Sequence, residues 1–170
     1  MSALPRVSSS LLFPLLLLLI LTSCGDNNSL CPPAGPGTPP PDLEATPDTL
    51  SIDGQTLVLE CQLWRDFMPI IPPEGNGLIA LIRLTEIDAL PIEANLDLRH
   101  LWVLLGSECW STDFTDERRA PTPPHIKEKI ARWGPEWETG VAVDVVVQVR
   151  LNGRACYVVK ALDVPIHRTD

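Results

Sequence analysis

Apolar and polar residues alternate with a period of two over much of the C-terminal part of the chain. The clearest run is 141–151, where Val141, Val143, Val145, Val147, Val149 and Leu151 share one side. Such a period sets one side of a strand against a core. Asn152-Gly153 follows and predicts a tight hairpin with residues 154–162 as the returning strand. A two-residue turn there places Val149 opposite Cys156, Val147 opposite Val158, and Lys160 opposite Val145. The Lys160 stem is then expected to snorkel at the sheet margin. Upstream, residues 49–52 and 55–63 flank Asp53-Gly54, a hairpin signal because a type I′ turn needs positive φ at both central positions. Leu57, Leu59, Cys61 and Leu63 form the inward set of that second strand. Residues 77–87, 100–105 and 108–112 read as further strands.

One segment has a helical period instead. In residues 122–134, Thr122 is a candidate N-cap and proline opens the first turn. Ile126, Ile130 and Trp133 fall at i, i+4 and i+7, and Glu128 and Arg132 form an i,i+4 pair. Gly134 and Pro135 supply the stop. The expected fold is therefore all-β with one short helix. Six or seven short strands joined by tight turns suggest a two-sheet antiparallel sandwich, immunoglobulin-like by analogy.

The N-terminal pattern is different. Arg6 is the sole charged side chain in the first 25 residues, and Leu11 to Leu21 are apolar throughout, eight of them leucine. Eleven residues are about half of a membrane-spanning helix. A positive start, a short apolar stretch and small residues behind it describe a secretory signal. The stretch ends in Leu21-Thr22-Ser23-Cys24-Gly25, which resembles the lipobox of bacterial lipoproteins. The resemblance covers residues 1–25. It implies cleavage between Ser23 and Cys24, and a diacylglyceryl group on the sulfur of Cys24. A single myristoyl-sized chain binds membranes only marginally, whereas two or three chains on one residue anchor stably.

Residues 32–47, PPAGPGTPPPDLEATP, hold seven prolines in sixteen positions. They are expected to act as an extended spacer, at about 3.1 Å per residue in polyproline II. The domain organisation that follows is a cleaved signal over 1–23, a lipidated Cys24 with its Pro-rich linker over 24–47, and a β domain over 48–170.

Charge narrows the partners. The 170 residues carry 13 Lys+Arg against 22 Asp+Glu, a net charge of −9. This excludes the basic stripe of a nucleic-acid binder and Lys/Arg docking on anionic headgroups. Of five cysteines, Cys31, Cys61, Cys109 and Cys156 remain once Cys24 is lipidated, in a compartment that tolerates disulfides. They are either bridged or small buried hydrophobes. Cys61–Cys156 is the favoured bridge, because both are placed inward near one end of the sandwich.

No catalytic residue, metal site or cofactor is legible. His100, His125 and His167 are far apart, and no H-E-x-x-H, P-loop, dinucleotide fingerprint or G-x-S-x-G occurs. Asp113, Asp116 and Glu117 form an acidic loop followed at once by Arg118 and Arg119, which reads as solvated local ion pairs. The distinctive side chains are aromatic. Trp64-Arg65-Asp66 leaves the second strand, and the segment from Arg132 to Trp137, with Trp133 and Trp137, leaves the expected helix. Trp and Arg dominate interface hot spots, so these five are the candidate ligand surface. Alternatively, the tryptophans plug the ends of the domain while Arg65 and Asp66 satisfy loop backbone.

The functional expectation is a lipid-anchored envelope protein on the periplasmic or extracellular side. It is read as non-catalytic, a binding module for an envelope protein or a cell-wall glycan. The alternatives are an envelope enzyme acting on peptidoglycan or polysaccharide, and an assembly accessory that offers a sheet edge.

Overall fold

A computed structural model describes residues 35–68, 76–115, 117 and 121–170. Eight strands follow in chain order: β1 (Thr49–Ile52), β2 (Gln55–Asp66), β3 (Ile79–Glu86), β4 (Leu96–Leu105), β5 (Glu108–Asp113), β6 (Ile126–Ala131), β7 (Ala142–Leu151) and β8 (Ala155–Thr169). They form one curled mixed sheet in the order β5-β4-β7-β8-β2-β3-β6, with β1 hydrogen-bonded to β2. The all-β expectation holds. β8 joins the two halves of this sheet. Its first part runs antiparallel to β7, and residues 166–169 run parallel to β2. Beyond β5, Thr115 bridges to Ile130 of β6 and brings the two ends of the sheet together.

The core lies inside this curl. Leu57 and Leu63 of β2, Ile82 and Leu84 of β3, Leu101 and Val103 of β4, and Val145, Val147 and Val149 of β7 are all fully buried. Each such side chain contributes about 1.5–3 kcal/mol of burial. Leu59 and Cys61 pack against the same core, so the inward set read along β2 is observed. The Asp53-Gly54 hairpin is observed too. Ile52 pairs with Gln55, and both turn residues have positive φ, 49° and 81°.

Residues 126–131 are a strand and not a helix; no helix occurs among the described residues. A spacing of four satisfies both periods, because residues i, i+2 and i+4 of a strand also share a face. The open edge of β3 decides between them. β6 pairs along it from Thr85↔Ile126 to Ala80↔Ala131. Glu128 is bound by Arg83 across that pair (2.7 Å), and Arg132 reaches Glu117 (2.5 Å). The expected Glu128–Arg132 helix pair is therefore replaced by a cross-strand pair between Arg83 and Glu128 and a loop pair between Arg132 and Glu117.

The β7–β8 turn is one residue longer than expected. Leu151 pairs with Ala155, leaving Asn152, Gly153 and Arg154 in the loop. A one-residue shift moves every side chain of the returning strand to the opposite face. Val145, Val147 and Val149 now face Ala161, Val159 and Tyr157, while Val146, Gln148 and Arg150 face Lys160, Val158 and Cys156. Lys160 thus leaves the core side without snorkelling. Cys156 leaves it too, and Cys61 is a free thiol. The expected Cys61–Cys156 bridge does not form, although Cys156 is not itself free.

The outer face of β4, β7 and β8 is not left to solvent. A bulge at Arg99 shifts the β4 register between Leu98 and His100. Leu98 and Leu101 both point inward as a result, and His100 and Trp102 point outward. Trp102, Val146 and Gln148 on this face are nonetheless buried. The described part of the Pro-rich stretch covers them. The Thr38 carbonyl accepts from Trp102 Nε1 (2.9 Å), the Leu43 carbonyl from Lys160 Nζ (2.7 Å), and the Pro47 carbonyl from the Lys160 backbone N–H (2.9 Å). Thr46 is buried and closes a knot onto the Asp42 carbonyl (2.7 Å). From Gly35 onward this stretch is a strap on the domain rather than a free spacer.

Candidate functional site

The aromatic candidates fall in two places. Arg65 continues the inward face of β2 past Leu63 and is only 8% exposed. Its Nε donates to the Asn76 carbonyl (2.9 Å), Nη1 donates to the carbonyls of Glu136 and Trp137 (3.0 Å each), and Nη2 donates to Asn76 Oδ1 (2.9 Å). The Glu136 carboxylate lies 3.4 Å from Nη2, and Phe67 stacks on the guanidinium. Asp66 Oδ1 accepts the Met68 backbone N–H (3.0 Å). Trp137 is buried and its indole N–H donates to Glu108 (2.7 Å). Arg65, Asp66 and Trp137 are thus used to satisfy backbone and close one end of the domain.

Trp64 alternates with Arg65 and so lies on the other face of β2, opposite His167 of β8. With Gln62, Leu63 and Thr169 the two line a shallow depression. Trp133 is presented differently. It is 55% exposed, and its backbone is held at φ 67°. A bulky residue in the left-handed region costs about 1–2 kcal/mol and needs neighbours that enforce it. Those neighbours are the two glycines beside it. Gly134 and Leu78 exchange backbone hydrogen bonds (3.0 and 3.3 Å). A Cβ on Gly77 would lie 2.5 Å from the Gly134 oxygen, and one on Gly134 would lie 2.8 Å from both Leu78 Cβ and the Trp110 ring. The close backbone approach fixes the loop and turns the Trp133 indole outward.

The structure also assembles a group that sequence reading missed. Leu105 pairs with Glu108 across the Gly106-Ser107 turn, so His100 faces Asp113 and Trp102 faces Ser111. His100 is completely buried. Its Nδ1 lies 2.6 Å from Asp113 Oδ1, and its Nε2 lies 2.9 Å from Ser111 Oγ. Trp102 meets the imidazole edge-on, with ring centres 4.6 Å apart. The Gly35 carbonyl of the strap is 3.5 Å from Ser111 Oγ. The register that gathers these residues follows from a two-residue turn, a signal present in the sequence. Distance along the chain hid it.

The acidic loop is divided between separate partners: Asp113 belongs to His100 and Glu117 to Arg132. Asp116 lies outside the described residues. Among the described residues no group of three His, Cys, Asp or Glu side chains is placed to hold a metal ion. Cys109 is an exposed free thiol on β5. Cys61 is sheltered, and burial together with the Glu60 charge pushes its thiol from an ordinary 9 to about 12. Cys24 and Cys31 lie outside the described residues. No protein-family model matches the sequence, and comparison with curated proteins and with solved structures returned no match.

Proposed function

We propose that the chain is a lipid-anchored cell-envelope protein whose β domain is a tethered binding module. The anchor rests on the resemblance of Leu21-Thr22-Ser23-Cys24 to a lipobox. The binding role rests on Trp133. An indole that is both exposed and held in a costly backbone conformation is supported as a ligand contact, since strain persists where the surroundings over-determine it and clusters at ligand clamps. Trp is also among the residues that dominate interface energies.

The strap sets the reach of the tether. Because Gly35 already lies over Ser111, only residues 24–35 separate the lipid from the domain. Fully extended, that length spans at most about 40 Å. The module therefore works on partners close to the membrane surface, an envelope protein or the adjoining cell-wall glycan. Crosslinking in intact cells tests this. Trp133→Ala is expected to lose the species captured by the native protein while keeping its β-sheet circular dichroism. An unchanged set of crosslinks would remove Trp133 from the ligand surface.

A further inference from the structure

We infer that Ser111, His100 and Asp113 form an acyl-transfer site for small carboxylic esters, roofed by the strap. This goes beyond the binding role and does not depend on the lipid anchor. The inference rests on which atoms meet. The carboxylate of Asp113 lies on Nδ1 of His100, and the Ser111 hydroxyl lies on Nε2, at 2.6 and 2.9 Å. With the proton on Nδ1, that N–H donates to Asp113 and Nε2 accepts from Ser111 Oγ. A serine nucleophile activated by an oriented imidazole requires this order of groups, and it is recognised by geometry, not by position in the chain. Three side chains from two paired strands hold it without a mobile loop.

The surroundings add three further features. His100 is shut away from water and braced by the edge of Trp102, which fixes the imidazole plane. Ser111 is half-buried and the Asp113 carboxylate is exposed on its outer side, so the nucleophile can be reached beside a closed base. β5 pairs with β4 alone along its length, and the free edge of such a strand presents backbone N–H groups, the donors that a developing oxyanion needs. The strap limits the size of what enters. The turn from Gly35 to Thr38 is locked by Thr38 Oγ1, which accepts the Gly35 N–H (2.8 Å) and donates to the Gly35 carbonyl (2.7 Å). With the Gly35 carbonyl 3.5 Å from Ser111 Oγ, so close a roof selects a short acyl group over a polymer chain.

The reaction balances with water as the co-substrate. Ser111 Oγ adds to the ester carbonyl carbon, and its proton passes to His100 Nε2. The carbon–oxygen bond to the alcohol breaks, and the alcohol leaves with that proton. Water then adds to the acyl-serine by the same path, releasing the carboxylic acid and restoring the Ser111 hydroxyl. Asp113 is a positioning residue that holds the imidazole throughout.

The test uses the detergent-solubilised full chain, a fluorophosphonate probe and p-nitrophenyl acetate. A covalent adduct mapped to Ser111 is expected. Ser111→Ala should lose that adduct and hydrolyse the ester at least about 100-fold more slowly, with unchanged circular dichroism. Asp113→Asn should lower kcat by a similar factor at constant KM, and Asp113→Glu should recover part of it. Thr38→Ala, which loosens the roof, should label faster than the native chain. If neither the native chain nor Thr38→Ala acquires an adduct on Ser111, or if Ser111→Ala leaves hydrolysis unchanged, the inference is overturned.

Discussion

Arg65 shows how one side chain organises one end of the domain. Its guanidinium serves three backbone carbonyls and the Asn76 amide oxygen from a position that water hardly reaches. Removing it strands buried acceptors, each of which costs about 1–3 kcal/mol when unsatisfied. Arg65→Ala is expected to lose about 3 kcal/mol in urea unfolding, and Arg65→Lys to recover little, because an ammonium cannot reproduce the planar fork. Cys61 makes a different prediction. Its thiol keeps its proton up to about pH 12 in the folded chain, against 9 when unfolded. Between those values the unfolded chain alone releases the proton, so folding stability falls as pH rises through the window. Below pH 9 both states are protonated and the effect vanishes. Unfolding measured across pH 8–11 should show a flatter decline for Cys61→Ala than for the native chain. Parallel curves would mean that Cys61 ionises as readily folded as unfolded.

At the scale of elements, the legible features were those fixed by local rules. The alternation in β2 and β7 and the Asp53-Gly54 turn needed no tertiary knowledge. Residues 126–131 were misread because isoleucines four apart satisfy helix and strand alike, and only the vacant edge of β3 distinguishes the two. The β7–β8 register turned on whether Arg154 belongs to the loop, one residue that relocates Cys156 and Lys160 to another face. The bulge at Arg99 had no sequence signal, yet it sends His100 outward. Asp113 and Ser111 could have been matched to His100 from the Gly106-Ser107 turn by counting. The Gly77–Gly134 approach tests the observed packing at this scale. Gly134→Ala forces a methyl group into Leu78 and Trp110 and should cost about 1–3 kcal/mol. Gly35, around which nothing lies within 4 Å of an added Cβ, is the control; Gly35→Ala should stay within about 0.5 kcal/mol of the native chain. Equal stabilities would contradict the close approach that positions Trp133.

For the whole molecule, the strap changes how the parts relate. A proline-rich stretch reads as a spacer because its composition gives it little apolar surface to bury. Here it contributes mainly backbone carbonyls, which Trp102 and Lys160 supply with donors, and proline lowers the entropy lost on docking. It covers an outward face that Val146 and Trp102 would otherwise expose. The same strap roofs the Ser111–His100–Asp113 group. Everything proposed about location depends on the chemistry of Cys24, and the intact mass of the protein extracted from its own cells measures that directly. The expected species begins at Cys24 and carries the added mass of a diacylglyceryl group, lost in Cys24→Ala. A chain that begins at Met1 or at any other residue, with Cys24 unmodified, would contradict the proposal.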